Sequence, residues 1–303
     1  MKLIKANFNI IEQGSGIDGI YKIIEQAGRT CYKSLDKITP DSAKGFVDRM
    51  IKSGHGAMLE HGTVYLKLTP SEIHIYHKYS DNPYTNVIVV NSEDPYPVPI
   101  YYISTNYRVL VEHGWLDDLK YLCEPTEYHE KRITVKFILP ISISREFCRH
   151  RVFSFAEQST RYCNYNSDKF NNELTFIIPY WTDLREARYQ YWDNDWVDAA
   201  DKNNIPNTIL KHFEGDSVDI FLSQCESAEV NYKALINRGC KAQEAREILP
   251  LCTKTELIMT GTIEQWRGFF KLRTDKAAHP QAQELAIPLK EEFIKRNLLN
   301  END

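Results

Sequence analysis

Several features that mark other protein classes are absent from this 303-residue sequence. It contains no apolar run of transmembrane length, and its N-terminus has neither the apolar stretch nor the cleavage site of a signal peptide. We therefore expect a cytoplasmic protein without a membrane partner. The seven cysteines are an odd number and form no C-x-x-C pair, which favours reduced, packed thiols over a disulfide framework or a zinc site and predicts no metal.

The chain also lacks an excess of positive charge. Its formal net charge is -5, with 42% hydrophobic and 26% charged residues, a composition typical of an ordinary globular protein. Because broad electrostatic capture of nucleic acid needs a basic surface, we expect no nucleic-acid partner. The length allows one elaborated domain or two, and we predict a single domain over residues 1–303.

Apolar spacing predicts the secondary structure around the polar motifs. Helical spacing indicates one helix at about 16–28 and a second that runs from Thr39 to Gly54. Alternating apolar residues at 64–68 indicate a strand. From residue 217 onward helices dominate. One of them passes through Trp266, Phe269, Phe270 and Arg273, and the last one begins at His279-Pro280.

Residues 69–131 differ from their surroundings. They are rich in Tyr, Asn, Asp and Pro, predict one helix near 105–123 and contain no chemical motif. Strand character resumes at 133–139, as if a strand pair with 64–68 had been interrupted. We interpret 69–131 as an insertion in one domain, and a small separate subdomain is the alternative.

A second unusual stretch, residues 171–205, is aromatic and acidic. Its aromatic residues include Trp181, Tyr189, Tyr191, Trp192 and Trp196. A stripe of this kind forms core or subunit contacts more often than a ligand cage. We therefore assign it no ligand.

The chain concentrates its polar chemistry between residues 145 and 162. Arg149-His150-Arg151 is followed by Glu157, two serines and Arg161. A local positive focus in an acidic chain predicts a small anionic ligand rather than a long polyanion. Arginine binds phosphate through two parallel hydrogen bonds, and serine and backbone N–H groups complete such a site. The segment therefore predicts phosphate binding.

The spacing of these charges leaves two interpretations open. On a helix, Arg145 and Arg149 would lie one turn apart, as would Glu157 and Arg161. Such a face is commonly solvated and salt-bridged. Three phenylalanines in the same segment indicate burial instead, and unpaired buried guanidinium groups are costly. We therefore favour an anionic ligand as the partner of the arginines.

Taken with motifs elsewhere in the chain, this segment resembles the signature of the flavin-dependent thymidylate synthases. The signature is Arg149-His150-Arg151, seven further residues and Ser159, with Arg161-Tyr162 after it. The other family motifs occur in order: Gly54-His55, Glu60-His61, Glu244-Ala245-Arg246, Leu249-Pro250, Leu272-Arg273 and Ala282-Gln283-Glu284. The resemblance covers nearly the whole chain except 69–131. It implies an α+β or α/β fold in which helices flank a central sheet.

The resemblance also implies a reaction. In it, dUMP gains a methylene group from methylenetetrahydrofolate, and reduced FAD, recharged by NADPH, supplies the hydride that completes the methyl group of dTMP. Family members are similar in being homotetramers whose active sites combine several subunits. The resemblance therefore implies dUMP and the folate as partners, FAD as the cofactor and a homotetramer.

The family positions carry over to individual residues of this sequence. The resemblance implies dUMP binding by Glu146, Arg149, Glu157, Gln158, Ser159, Thr160, Arg161, Arg246 and Arg273. It implies FAD binding by His55, Ala57, Arg149, His150, Arg151, Glu157, Thr262 and Gly268. Arg273 is implied as the catalytic residue, because a fixed positive charge beside the uracil stabilises developing negative charge. Arg246 and Arg273 are expected to arrive from other subunits.

Three positions depart from the family pattern. Glu146 stands where many members have Gln, so a carboxylate would lie near the phosphate unless Arg145 or Arg149 neutralises it. Thr262 and Gly268 stand where others often have Asn or a larger polar residue. These two changes alter the flavin contacts expected at the last helices.

Some residues of the segment have alternative roles. Between two arginines the neutral form of His150 is favoured, which suits a flavin contact rather than acid catalysis, and a purely structural histidine is the alternative. Cys148 and Cys163 flank the signature, and nearby arginines would lower a thiol pKa, but packed thiols are the favoured interpretation. Ser159 has no His and Asp partners in sequence, so we interpret it as a phosphate contact.

A noncatalytic function is the alternative for the whole chain. The basic segment 145–161, with its interleaved phenylalanines, would then bind a nucleotide or RNA without chemistry. That function predicts a broader basic surface and base-stacking motifs, which the net charge and the single cluster do not supply. We therefore favour the flavin enzyme.

Overall fold

A computed structural model describes residues 1–92, 95–192, 195–198, 209–211 and 216–300. Its strands are β1 Lys2–Ile4, β2 Asn7–Ile11, β3 Thr63–Leu68, β4 Asn86–Asn91, β5 Pro99–Asn106, β6 Arg132–Pro140, β7 Ser154–Glu157, β8 Thr175–Ile177, β9 Ala187–Trp192, β10 Asp195–Asp198, β11 Ile209–Lys211 and β12 Lys254–Thr262. Its helices are α1 Gly16–Cys31, α2 Ser42–Lys52, α3 Gly56–Leu59, α4 Ile73–Ser80, α5 Tyr107–His113, α6 Ile141–Phe147, α7 Ser217–Asn237, α8 Ala242–Ala245, α9 Ile263–Arg273 and α10 Pro280–Lys295.

The central sheet has the strand order β2-β6-β12-β7, and each neighbouring pair in it is antiparallel. β6 and β12 pair over their full nine residues. Alternate residues of both strands, such as Phe137 and Met259, enter a core that also contains Trp266 of α9 and Phe293 of α10. Each such buried side chain contributes about 1.5–3 kcal/mol, so this core holds the sheet against the two C-terminal helices.

The opposite face of the central sheet is covered by α1. Ala27 of α1 packs against Ala156 of β7 and Ile258 of β12. Small side chains at these positions let the helix approach the sheet closely. Helices therefore flank the central sheet on both faces, and the predicted fold class is confirmed.

Residues 69–131 contribute two strands to a second sheet, with the order β3-β5-β4. β3 pairs with β5, whereas β6 pairs with β2 and β12. The interpretation of 64–68 and 133–139 as one interrupted strand pair is therefore wrong. Alternation identifies a strand but carries no information about its partner.

The second sheet shares its core with the N-terminal helices. Val64 of β3 and Ile103 of β5 lie in one cluster with Ile24 of α1 and Phe46 of α2. Because α1 also covers the central sheet, the described part of 69–131 is a layer joined to the rest of the fold through a common core.

The predicted helices form with some shifted ends. α1 includes the whole predicted 16–28 helix, and α10 begins at Pro280 as predicted, with the His279 ring as its N-terminal cap. α2 begins at Ser42 rather than at Thr39, because the Ser42 hydroxyl accepts a hydrogen bond from the Thr39 backbone N–H (2.9 Å) in a turn before the helix.

The predicted helix at 105–123 is interrupted. α5 ends at His113, where Gly114 adopts a φ of +69° and closes the helix in the left-handed conformation that favours glycine. A 3-10 turn at Leu116–Tyr121 follows. The two pieces therefore run as separate elements.

The third sheet, with the order β11-β10-β9-β1-β8, includes part of the aromatic stretch. Tyr189 and Trp196 are buried in a core with Leu222 of α7, whereas Trp181 and Tyr191 are about half exposed. The core interpretation is thus confirmed for two of these side chains, and residues 199–205 lie outside the described part of the chain. Among the described helices, none has the length and apolar character needed to cross a membrane.

Candidate active site

The arginine motif lies between α6 and β7, which is an edge strand of the central sheet. α6 ends at Phe147, so Arg149 follows the helix and does not belong to it. Glu157 ends β7 and Arg161 lies in the next turn, so the predicted helical pairing of these two residues is wrong. β7 forms because it pairs with Leu257–Thr260 of β12, and this pairing outweighs the local spacing of charges.

Phenylalanines anchor the motif and arginines project from it. Phe147 and Phe153 are buried, and the Phe153 ring lies 4.7 Å from that of Trp266. Arg149 and Arg151 are exposed, and neither side chain forms an ion pair with a described residue. The expected burial therefore holds for the rings, and the expectation of buried guanidinium groups is wrong, because long side chains carry their charge out to solvent.

Arg273, the last residue of α9, is held by three contacts. Its Nη1 lies 2.8 Å from Glu146 Oε2, and its Nη2 donates to the Glu146 carbonyl oxygen at 2.5 Å. Its Nε–H donates to His150 Nε2 at 3.0 Å. These contacts join residues of one chain, whereas the resemblance implied that Arg273 arrives from another subunit.

His150 is a neutral hydrogen-bond acceptor in this arrangement. Burial, together with the positive charge of Arg273, lowers the pKa of His150 to about 4. The predicted neutral form is confirmed, but the charge responsible is Arg273 rather than the neighbouring Arg149 and Arg151. Because Nε2 accepts from Arg273, the ring proton is assigned to Nδ1.

A cleft of about 540 Å³ opens beside Arg273, and we name it the Arg273 cleft. It is lined by Ser142, Arg145, Glu146, Arg149, Arg273, Ala277, Ala278 and His279. Glu146 is neutralised there by Arg273, not by Arg145 or Arg149. The carboxylate that departs from the family pattern therefore orients the predicted catalytic guanidinium.

A second cleft, of about 630 Å³, lies around the turn after β7, and we name it the Arg246 cleft. It is lined by Ile141, Arg145, Glu157, Gln158, Ser159, Thr160, Arg246, Glu247, Leu249 and Leu251. Arg246 Nη1 donates to Thr160 Oγ1 at 3.4 Å within the same chain. Ser159 Oγ accepts from the Arg161 backbone N–H at 3.3 Å, which shapes the turn.

Arg145 is a lining residue that was not among the predicted binding residues, although the sequence drew attention to its charge. It lines both clefts, so they adjoin at its side chain. Its position four residues before Arg149 was visible in sequence, but only the fold shows that it separates the Arg273 cleft from the Arg246 cleft.

The side chains of Gln158 and Glu157 form hydrogen bonds in the protein interior. Gln158 is buried, and its Oε1 accepts from Lys254 Nζ at 3.0 Å. Glu157 accepts a hydrogen bond from the Ser144 hydroxyl, and burial raises the pKa of Glu157. The Gln158 side chain thus supports the turn from the buried side, through its hydrogen bond with Lys254. The Glu157 carboxyl group lines the Arg246 cleft.

The residues implied for FAD lie on several elements. His55 and Ala57 are exposed at the start of α3, which packs beside β7. Thr262 caps α9, where its hydroxyl accepts from the Gln265 backbone N–H at 3.2 Å. Gly268 is exposed on α9, with no neighbouring atom within 4 Å of the position a Cβ would take. Thr262 therefore has a structural role, and Gly268 leaves open space.

The cysteines beside the motif are not thiolates. Burial raises the pKa of Cys148 to about 11, and burial also raises the pKa of Cys163. All seven cysteines are free. The packed-thiol interpretation is therefore confirmed, because loss of hydration on burial is the largest effect on both thiols.

Known proteins resemble this chain to different extents. A flavin-dependent thymidylate synthase of Pyrococcus furiosus is 30% identical over 154 residues, which cover 51% of this chain and 50% of that protein. One of Mycobacterium avium is 23% identical over 273 residues, 89% of this chain and 74% of that protein. The chain thus spans about half the length of the Pyrococcus furiosus relative.

A solved structure of the UMP/dUMP methylase PolB from Streptomyces cacaoi, bound with 5-Br dUMP, matches with a TM-score of 0.44 and 16% identity, over 97% of this chain and 93% of that chain. A family model for the thymidylate synthase complementing proteins matches residues 125–296. That range includes every residue that lines the two clefts. Because the match extends over more than half of the chain, the protein belongs to the thymidylate synthase complementing protein family.

Proposed function

We propose that this protein is a flavin-dependent thymidylate synthase that converts dUMP to dTMP. The observation that carries the proposal is the meeting of two clefts at Arg145, lined by Arg149, Ser159, Arg246 and Arg273 from four separate segments. Guanidinium and hydroxyl groups spread in this way suit a nucleotide, whose phosphate and base are recognised at opposite ends. Membership of the family supports the same reaction.

The phosphate of dUMP is assigned to the Ser159–Thr160 turn together with Arg149, Arg161 and Arg246. Arg246 already lies beside the Thr160 hydroxyl, and Arg161 is exposed next to it in sequence. A phosphate at this turn would accept hydrogen bonds from the hydroxyl groups and from the guanidinium groups. Glu157 and Gln158 complete the wall of the same cleft.

The uracil ring is assigned to the Arg273 cleft. Glu146 and His150 hold the Arg273 guanidinium in one orientation, so its positive charge needs no rearrangement when negative charge develops on the ring. A preorganised charge of this kind stabilises the transition state more than the bound substrate. Arg273 is therefore the proposed catalytic residue.

FAD is the proposed cofactor, and the residues present fit it. Arg149 and Arg151 are exposed without an ion pair to a described residue, so they suit its pyrophosphate. His55, Ala57, His150 and Glu157 are assigned to the same ligand. Thr262 is also assigned to it, although its hydroxyl group caps α9, and Gly268 leaves room beside this helix. Bound FAD would supply the hydride chemistry, with NADPH as its reductant and methylenetetrahydrofolate as the methylene donor.

A homotetramer with shared active sites is proposed as the working assembly. Three apolar side chains next to arginines of the site are more than half exposed in one chain: Val152 at 67%, Tyr162 at 58% and Leu272 at 61%. Exposed apolar groups beside a polar site are typical of surfaces that another subunit covers. Sedimentation of the purified protein measures the assembly directly.

The function is tested with the purified chain. The protein should be yellow, or become yellow when FAD is added. It should release tritium from 5-tritiated dUMP and form dTMP only when NADPH and methylenetetrahydrofolate are both present. A protein that never binds FAD would overturn the proposal, and retained nucleotide binding in that case would favour the noncatalytic nucleotide-binding function.

A further inference from the structure

α5 comes to lie beside α3 because of the register of the second sheet. β5 pairs antiparallel with β3 so that Asn106 lies opposite Thr63. The Asn106 side chain caps α5, and the next backbone N–H, of Tyr107, donates to the Gly62 carbonyl oxygen at 2.8 Å. The first turn of α5 is thereby fixed next to the His55–Glu60 segment.

Arg108, in this first turn, contacts the segment directly. Its Nη1 lies 2.6 Å from Glu60 Oε1, and its Nε lies 2.7 Å from Glu112 Oε1. A Cβ added to Gly56 would lie 2.9 Å from Arg108 Nε. The guanidinium group therefore packs against the backbone between His55 and Ala57, and a larger residue than glycine at position 56 would displace it.

The short helix at this point needs such support. α3 has only four residues, and an isolated single turn is unstable because its nucleation cost is not recovered. Leu59 is buried and anchors the end of the turn, but His55 and Ala57 at its start are exposed. Arg108 is placed to hold the exposed start through Gly56 and the end through Glu60.

We propose that Arg108 is a positioning residue for the flavin, holding the His55–Glu60 segment in the arrangement that receives FAD. The inference rests on the proposed function, because it takes His55 and Ala57 as flavin contacts. Arg108 acts through its neighbours. Its guanidinium group is paired with the carboxylates of Glu60 and Glu112, so it does not serve as a phosphate ligand for FAD. The segment 69–131 would thus support the cofactor side of the site.

The experiment compares FAD affinity among full-length variants by flavin fluorescence titration. Arg108→Ala should weaken FAD binding about tenfold, which corresponds to about 1.4 kcal/mol. Arg108→Lys should recover part of the affinity, because an ammonium group pairs with Glu60 but lacks the planar fork that also contacts Glu112. Glu112→Gln, which leaves the Glu60 pair intact, should bind FAD within about twofold of the unchanged protein.

Arg296→Ala is the matched control. Arg296 is 37% exposed, as Arg108 is, and it also pairs with a carboxylate four residues before it, Glu292 of α10, and with one distant carboxylate, Glu12. The two alanine variants should lose similar thermal stability, but only Arg108→Ala should lose FAD affinity. Equal FAD affinity in both would overturn the positioning role while leaving the proposed function intact. An unchanged protein that does not bind FAD would overturn both.

Discussion

Residue-scale chemistry at this site is dominated by Arg273. Arg273 donates three hydrogen bonds to Glu146 and His150, and its side chain is only 14% exposed. A guanidinium group fixed in this way points its remaining donors toward the Arg273 cleft. The charge is oriented before any ligand arrives, which is the condition for electrostatic catalysis.

Replacing Arg273 tests the catalytic assignment. Arg273→Ala should retain FAD and lower kcat about 100- to 1000-fold, since one preorganised charge is removed. Turnover and flavin absorbance are measured on the same samples. Arg267→Ala is the control, because Arg267 lies on the same helix but pairs with the exposed Glu264 (3.0 Å). Full activity in Arg273→Ala would show that the assignment is wrong.

A second residue-scale prediction concerns Cys148. Because burial raises the pKa of Cys148 to about 11, its thiol is protonated at neutral pH and is a poor nucleophile. Cys148→Ala should therefore be folded and active in the tritium-release assay. Loss of chemistry with intact dUMP binding would instead identify Cys148 as a nucleophile.

At the scale of elements, β7 shows that a local sequence pattern does not include the effect of pairing with a distant strand. Its residues and the turn after it carry charges at helical spacing, yet the segment forms a strand because β12 offers a pairing edge. β6 was the easier strand, since its apolar residues alternate over a long run. β12 was missed, because its polar sequence KTELIMTGT lies in a region where helices were expected to dominate. The identity of α9 and α10 was equally clear, because their apolar residues recur at helical spacing and fill the core.

Packing of the motif turn against β12 depends on Gly261. A Cβ at this position would lie 2.5 Å from the Phe153 ring. Gly261→Ala should therefore destabilise the protein by about 1–3 kcal/mol, because a rigid ring and a strand cannot both move aside. Chemical denaturation measures the change.

Gly268→Ala is the control for this prediction. Its added Cβ meets no atom within 4 Å on an exposed helix face, so it should stabilise the fold by about 0.5–1 kcal/mol. Equal stabilities for the two alanine variants would contradict the packing argument.

At the scale of the whole molecule, a buried carboxylate joins separate layers. Glu256 of β12 is 3% exposed and pairs with Lys136 of β6 (2.6 Å), with Lys254 and with Lys33, which follows α1. Burial favours a raised pKa for Glu256, but the three lysines outweigh it and hold the pKa well below its usual range. Lys254 also supports Gln158, so this cluster lies directly beneath the Arg246 cleft.

Glu256→Gln should destabilise the protein by about 3–5 kcal/mol at pH 7, because it leaves three clustered cations without their buried counter-ion. The folded pKa of Glu256 is depressed, so its contribution is present above the unfolded value near 4.5 and is lost as pH falls toward the folded pKa. Denaturation at pH 7 and at pH 4 should therefore show a smaller acid loss in Glu256→Gln.

The control for the cluster is Glu264→Gln. Glu264 is 75% exposed and pairs with Arg267 at the surface, so its loss should cost less than about 1 kcal/mol. If both variants lose the same stability, Glu256 does not join the layers as described.

Sequence alone determined the helices α1, α9 and α10, the strands β3 and β6, and the motif whose arginines suit an anionic nucleotide. These features depend on residue type and on short spacings, which act locally. Tertiary structure decided that β3 pairs with β5, that Arg145 separates two clefts, and that Glu146 and His150, more than 120 residues away in sequence, hold Arg273. Such contacts depend on how whole layers pack, and no local pattern in the chain encodes which distant partner completes a pair.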